Sequence, residues 1–176
     1  MKIHLVAILL VANSAVYFYF ILAGLLKLNN RKDFQLTLIK LPFIPYRLTS
    51  AMSVAVPLVE LFVGGWGLIA GRQAAALAAI ALLSIFIGFS LLAKKMRLKI
   101  KCNCLGNDAD ENALGLKVVG RNALMMIPLL ATVLIGYEGV DWYATAMGIC
   151  VAFIAISAMS IYRANQKIMK TAGARR

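Results

Sequence analysis

The stretch LVAILLVANSAVYFYFILAGLL, residues 5–26, decides the fold class. It carries no Lys, Arg, Asp or Glu, and a helix of this length spans the roughly 30 Å hydrocarbon core of a bilayer. A secretory signal peptide has a shorter apolar core, a stronger basic start and a cleaner cleavage site of small residues. Because this run is longer and leads into Lys27, Arg31 and Lys32, we predict an uncleaved transmembrane helix over 3–28.

The whole chain has the composition of a membrane protein. Its 176 residues are 62% hydrophobic and the mean hydropathy is +0.83, far more apolar than an ordinary soluble domain. Apolar runs of about 18 or more residues with few charges predict membrane-spanning helices. Beyond the first, such runs predict spans over 48–70, 74–93, 122–137 and 142–162. We therefore predict an all-α integral membrane protein, a compact bundle of about five transmembrane helices in one domain over 1–176. A four-helix core is the alternative.

The segments between the predicted spans differ in length and charge. Residues 29–47 mix charged and aromatic side chains with two prolines, which predicts a connector with a short interfacial helix and a turn. The turn at 71–73 is so short that the second and third spans should form an antiparallel hairpin. The other polar segments are a long loop over 94–121 and a basic tail over 163–176.

The basic residues are distributed unevenly across the predicted spans. The net charge is +12, but the cations lie between apolar runs rather than in a stripe on a soluble fold, which argues against a nucleic-acid partner. With five spans, Lys2 and Arg72 lie on one side of the membrane and the other basic residues on the opposite side. Because cytoplasmic loops are rich in Lys and Arg, we predict an outside N-terminus and a cytoplasmic C-terminus. Anionic lipid headgroups are the predicted partners of these cations.

The long loop contains KIKCNCLGND, residues 99–108, with Cys102 and Cys104 one residue apart. The thiolate is the reactive form of cysteine, and neighbouring cations favour it. A disulfide across one intervening residue closes a small ring, and a strained bridge suits thiol exchange better than cross-linking. Asn103 and Gly106 favour the turn that this ring needs. The basic residues just before the pair are Lys94, Lys95, Arg97, Lys99 and Lys101.

Other interpretations of these cysteines stay open at the sequence level. Cys102 and Cys104 could be loop residues without a chemical role. They could also bind zinc or copper(I) with a third ligand, which Cys150 would supply only if the loop folds back into the bundle. Cys150 by itself is predicted to be a small core residue, because free cysteine packs as a hydrophobic side chain. The single histidine, His4, argues against a histidine-rich metal or haem site.

Glu60 lies near the middle of the second predicted span. An ionised carboxylate is costly there, so it usually faces the bundle interior and pairs with a cation. The candidate partners are Lys27, at the end of the first span, and Arg121, at the start of the fourth. The alternative is that Glu60 only locks helices together. Arg121 and Asn122 are predicted to be interfacial anchors. The alternative is that Arg121 stabilises a thiolate or pairs with Glu60.

The arrangement of these motifs resembles the MauE family, the methylamine-utilisation membrane proteins that are grouped with the broader DoxX-like set. The pattern C-x-C-x-G between the third and fourth spans is followed by Leu114–Gly115 and by Arg121–Asn122, and P-x-x-E ends at Glu60. The chain has Asn103 and Leu105 where the commoner form of the motif has Gly and Phe. The four-helix alternative would correspond to a DoxX-like core.

The resemblance implies a bacterial inner-membrane protein in disulfide or redox handling, often with a thioredoxin-like partner such as MauD. In the methylamine system such proteins support maturation of a cysteine-rich periplasmic dehydrogenase subunit. Cys102 and Cys104 would then be the redox pair, with other residues in supporting roles. These supporting residues are Lys27, Glu60, Gly106, Arg121 and Asn122.

Three functions therefore compete at the sequence level. The first is a thiol–disulfide redox protein that supports disulfide formation or electron relay for a thioredoxin-like partner and an exported client. The second is a non-catalytic membrane assembly subunit in which the cysteines have no role. The third is a small transporter or metal handler that uses Glu60 and the cysteines. No residue indicates a cofactor; a quinone is compatible with the first function but has no signal in the sequence.

Overall fold

The computed structural model describes residues 2–42, 44–69, 72–96, 116–136, 143–154 and 157–158. All regular secondary structure in these ranges is α-helical, which confirms the predicted fold class. The helices are α1 (Lys2–Asn29), α2 (Arg31–Ile39), α3 (Tyr46–Ile69), α4 (Arg72–Lys95), α5 (Leu116–Ile135) and α6 (Tyr143–Ile154).

Four of these helices are long and apolar enough to cross a membrane. The candidate spans are Val6–Asn29, Tyr46–Ile69, Gln73–Lys95 and Val118–Ile135, and α6 is a shorter apolar helix. The predicted fifth span over 142–162 lies partly outside the described residues. The fourth span belongs to a helix that begins at Leu116, earlier than the predicted start at 122.

The four long helices pack as a ring in which α1 and α4 each contact both α3 and α5. Side-chain contacts give their directions. Gly24 of α1 lies against Pro57 of α3, whereas Asn13 of α1 reaches Thr132 of α5. Arg121, near the start of α5, lies over the ring of Tyr19. Because α1 runs antiparallel to both neighbours, the end of α1 lies with the beginnings of α3 and α5.

The short helix α2 lies at this same end of the bundle. It contacts α3, and its buried Leu38 clusters with Leu41 and with Ala93 near the end of α4. The end of α4 therefore also lies here. We call this end of the bundle the basic end, because it carries six exposed cations. They are Arg31, Lys32, Lys40, Arg47, Lys94 and Lys95.

Small residues bring α1 and α3 close together. A Cβ atom built on Gly64 would lie 2.8 Å from the backbone carbonyl oxygen of Tyr17, and Gly67 packs directly on the Tyr17 ring. Van der Waals packing of this kind drives helix association in a bilayer, where burying apolar surface against lipid gains little. The buried cluster around it includes Val16, Phe20, Val63, Ala75, Ala76, Ala79, Leu83 and Leu129.

Candidate functional site

A buried ion pair joins α1 to α3 inside the membrane-spanning bundle. Lys27, in the last turn of α1, donates from Nζ to Oε1 of Glu60. The side chain of Lys27 is 5% exposed and that of Glu60 is 2% exposed. Glu60 stands half-way along α3, one turn after Pro57. The long Lys27 side chain thus brings a cation from the helix end to the carboxylate.

Two aromatic rings complete the surroundings of the Lys27 ammonium. Its Nζ lies 4.6 Å from the ring centroid of Phe86 in α4 and 5.6 Å from that of Phe34 in α2. Both distances fall within the range of cation–π attraction. Four helices therefore contribute side chains to one charged centre, which we call the polar centre: Lys27, Glu60, Phe34 and Phe86.

The polar centre holds one oxygen with spare hydrogen-bonding capacity. Oε1 of Glu60 accepts from Lys27, but the buried Oε2 has no hydrogen-bond partner among the residues that the structure describes. An unsatisfied charged oxygen in an apolar interior is costly. A carboxylate with a free acceptor is thus chemically suited to accept a proton or a hydrogen bond from a further group.

Stability alone does not account for this ion pair. Taking two charges out of water costs as much as their attraction returns, and apolar residues of similar volume often hold helices equally well. Ionisable side chains inside membrane spans more often mark pathways for ions, protons or substrates. The polar centre is therefore the first candidate functional site in the described part of the chain.

The structure shows which of the two predicted partners pairs with Glu60. Lys27 makes the pair, whereas Arg121 stacks its guanidinium 5.2 Å from the ring centroid of Tyr19. The Arg121 Nε atom is buried and has no hydrogen-bond partner within the described ranges. Asn122 is also buried, at 4% exposure. Both residues lie within α5 rather than at its first residue, because the helix begins at Leu116.

The predicted redox pair falls in a part of the chain that the structure does not describe. Cys102, Cys104 and Gly106 all lie between 97 and 115. The flanking helices are described: α4 ends at Lys95 and α5 begins at Leu116. Both of these helix ends belong to the basic end of the bundle, the end to which Lys27 also belongs.

Cys150 departs from its prediction. It was expected in the core, but its side chain is exposed on α6, so that prediction is wrong. The physical reason is that a membrane protein places apolar side chains on its outer surface as well as inside, so hydrophobicity does not identify the core. The described residues also contain no group of three or more His, Cys, Asp or Glu side chains that could hold a metal ion.

Phe86 and Thr132 contribute to buried polar contacts, and neither was predicted from the sequence. Phe86 lies in an apolar run, and nothing in that run distinguishes a phenylalanine beside a cation from one in the apolar core. Thr132 of α5 accepts a hydrogen bond from Asn13 Nδ2 and donates to the carbonyl oxygen of Pro128 at 3.1 Å. This hydrogen bond joins α1 to α5.

Comparison with protein families adds the identification. The family model for methylamine utilisation protein MauE matches residues 5–136. The chain belongs to the MauE family. The match runs from α1 to the end of α5, and it covers Lys27, Glu60, Cys102, Cys104 and Arg121. The predicted resemblance is thereby confirmed. No curated protein and no solved structure matches this MauE-family chain.

Proposed function

We propose that this MauE-family protein is a membrane thiol–disulfide redox protein in which Cys102 and Cys104 cycle between dithiol and disulfide. One observation in the described structure supports this proposal more than any other. The polar centre lies inside the bundle, and Lys27 enters it from the basic end. At this same end α4 ends and α5 begins, and these two helices flank the CxC segment, which contains Cys102 and Cys104. A buried carboxylate with an unused acceptor could handle the protons that accompany thiol chemistry.

The exchange step balances in atoms and electrons. The more accessible thiolate of Cys102 or Cys104 attacks the disulfide of a thioredoxin-like partner and forms a mixed disulfide, while the departing partner sulfur gains a proton. The neighbouring cysteine then attacks the mixed disulfide and releases the second partner thiol. Two electrons and two protons pass from Cys102 and Cys104 to the partner disulfide. The same steps in reverse reduce the Cys102–Cys104 disulfide.

The supporting residues have roles that follow from their chemistry. Glu60 would accept or return a proton, and Lys27 would hold the Glu60 carboxylate in place. The guanidinium of Arg121 and the lysines that precede Cys102 would favour the thiolate form. Gly106 would provide the turn next to Cys104, and the buried Asn122 would support the start of α5. No cofactor is required for the exchange itself.

The MauE family name indicates the cellular process in which we expect the protein to act. We expect the protein to act in methylamine utilisation, with a MauD-type thioredoxin-like protein as partner and a methylamine dehydrogenase subunit as exported client. The basic end should face the cytoplasm of a bacterial inner membrane, since Lys and Arg concentrate on that side. An exported client then requires that the segment with Cys102 and Cys104 fold into the bundle, or that the protein relay electrons across the membrane. Labelling Cys102 and Cys104 with a membrane-impermeant thiol reagent in intact cells and in inverted vesicles tests this orientation.

Alkylation trapping tests the redox function. Membranes are treated with acid to stop exchange, and free thiols are then modified with a reagent that shifts the protein on a gel. We expect Cys102 and Cys104 to be partly oxidised in growing cells and to become reduced with dithiothreitol. Exposed Cys150 offers a control, because Cys150→Ser should leave this pattern unchanged. The proposal fails if both cysteines stay reduced under oxidising conditions and Cys102→Ser/Cys104→Ser still supports client maturation.

A further inference from the structure

We propose that α2 is an anionic-lipid-binding helix that lies in the membrane interface and covers the polar centre. This inference is independent of the redox function. α2 lies between the end of α1 at Asn29 and the start of α3 at Tyr46, so it lies at the level where both spans leave the hydrocarbon core.

The inner face of α2 is fixed to the bundle. Leu38 is buried and packs with Leu41 and Ala93, and partly buried Phe34 and Met52 pack against the same cluster. Arg31 donates from Nε to Oγ of Ser53 in α3 at 3.2 Å. The inner face of α2 is therefore held against α3 and α4, and its other face points away from the bundle.

The outer face combines cations with exposed apolar side chains. Lys32 and Lys40 are exposed, as are Leu36, at 57%, and Ile39, at 40%. Exposed apolar side chains beside cations fit a membrane interface, where the apolar side chains can enter the acyl boundary while the cations meet lipid phosphates. A soluble acidic protein would satisfy the cations but would leave Leu36 and Ile39 without an apolar environment. The combination therefore favours a lipid surface.

Among the described residues, the basic end has more exposed cations than exposed acids. The six exposed cations that define this end face a single exposed acid in the described ranges, Asp33 of α2. The other described acid, Glu60, is buried in the polar centre. Each Lys or Arg near an anionic membrane surface gains attraction to it. Phosphatidylglycerol in the surrounding leaflet is the occupant that this face fits.

The binding face and the polar centre share one helix. Phe34 lies on α2 and places its ring 5.6 Å from the Lys27 ammonium. Lipid that holds α2 in the interface therefore also holds this ring over the ion pair. Loss of the lipid contact should loosen α2 and give water access to Lys27.

Spin-labelled lipids in nanodiscs measure this binding directly. The full-length protein is placed in discs of phosphatidylcholine that carry a trace of spin-labelled phosphatidylglycerol or phosphatidylcholine, and the motionally restricted fraction of each is compared. We expect wild type to prefer phosphatidylglycerol, and Lys32→Gln/Lys40→Gln to weaken that preference at the α2 face by about fivefold for each cation removed. High salt should weaken the wild-type preference, because about 1 M salt shortens the screening length to about 3 Å.

Arg72→Gln is the control, because it removes one charge at the start of α4, on the opposite end of the bundle. It should keep the wild-type preference. If Lys32→Gln/Lys40→Gln keeps its preference as well, the lipid proposal is wrong, and an acidic protein surface becomes the partner of these cations. Hydrogen exchange gives a second readout: α2 amides should exchange more slowly in discs rich in phosphatidylglycerol, and the double variant should lose this difference.

Discussion

Two buried polar contacts on α1 differ in chemistry although both join α1 to a neighbouring helix. Lys27 pairs with Glu60 of α3, and Asn13 donates to Thr132 of α5. They lie about 20 Å apart along α1. The Asn13–Thr132 bond carries no charge, and such bonds commonly join helices in membranes. Since a neutral hydrogen bond is enough to join two helices, the charges at Lys27 and Glu60 point to a role beyond packing.

The largest expected effect comes from removing one member of the ion pair. Lys27→Met or Glu60→Leu should each lower the free energy of unfolding by about 3–5 kcal/mol, because the remaining charge is buried without a partner. Lys27→Met/Glu60→Leu should recover most of that loss, since two apolar side chains need no pairing. Denaturant unfolding in detergent micelles measures all three variants.

The double variant also separates structure from function. It should fold with near wild-type stability and yet lose thiol exchange. A folded double variant with full exchange activity would show that the ion pair only joins helices, as the Asn13–Thr132 bond does. A double variant no more stable than the single ones would show that the charges themselves hold α1 to α3.

Close packing between α1 and α3 should have the next largest effect. Gly64→Ala places a Cβ 2.8 Å from the Tyr17 carbonyl oxygen, and we expect a loss of about 1–3 kcal/mol from overpacking. Gly65→Ala is the matched control, because nothing lies within 4 Å of its new Cβ, and it should be neutral or slightly stabilising. Equal effects at the two glycines would mean that packing at Tyr17 contributes little to this junction.

The aromatic ring of Phe86 should contribute a smaller amount. Phe86→Leu removes the ring that lies 4.6 Å from the Lys27 ammonium, and the lost cation–π attraction is worth about 0.5–2 kcal/mol. Phe153→Leu, at an exposed site on α6, controls for loss of a ring in general. The effect of Phe86→Leu should disappear in the Lys27→Met/Glu60→Leu background; an effect of the same size there would assign it to apolar packing.

The smallest expected effect is at the neutral contact. Asn13→Ala should lower the free energy of unfolding by about 0.6 kcal/mol and by no more than about 1.7 kcal/mol, the range of interhelical hydrogen bonds in a membrane. Ser84→Ala serves as control, since Ser84 is exposed and donates to the Ile80 carbonyl in its own helix. A loss as large as that of Glu60→Leu would contradict the contrast drawn between the two contacts.

Much of the fold followed from the sequence because the bilayer requires long apolar helices. The runs that became α1, α3 and α4 were recognisable by length and composition alone, and the mixed connector contained the short helix α2. The partner of Glu60 was not determined in this way. Lys27 and Arg121 are both cations near span ends, and choosing between them needs the rotation and depth of each helix, which only packing fixes.

The outer surface was predicted least well for the same physical reason. In water, burial sorts apolar residues inward, but a bilayer removes that bias. Cys150 therefore gave no signal of its exposed position, and Phe86 gave none of its place beside a charge. Cys102 and Cys104 remain a prediction from their spacing, their basic flank and the family match, since they lie outside the described residues.

Trapping of a mixed disulfide tests whether Cys102 and Cys104 form a redox pair. Cys102→Ser and Cys104→Ser are expressed in cells that contain the thioredoxin-like partner, and membranes are analysed on non-reducing gels after thiols are blocked. We predict that one of the two variants, the one that keeps the attacking cysteine, accumulates a partner adduct that dithiothreitol removes. Cys150→Ser should accumulate none beyond wild type. If neither variant forms such an adduct while the partner is present and exchange-competent, the claim that Cys102 and Cys104 form a redox pair is contradicted.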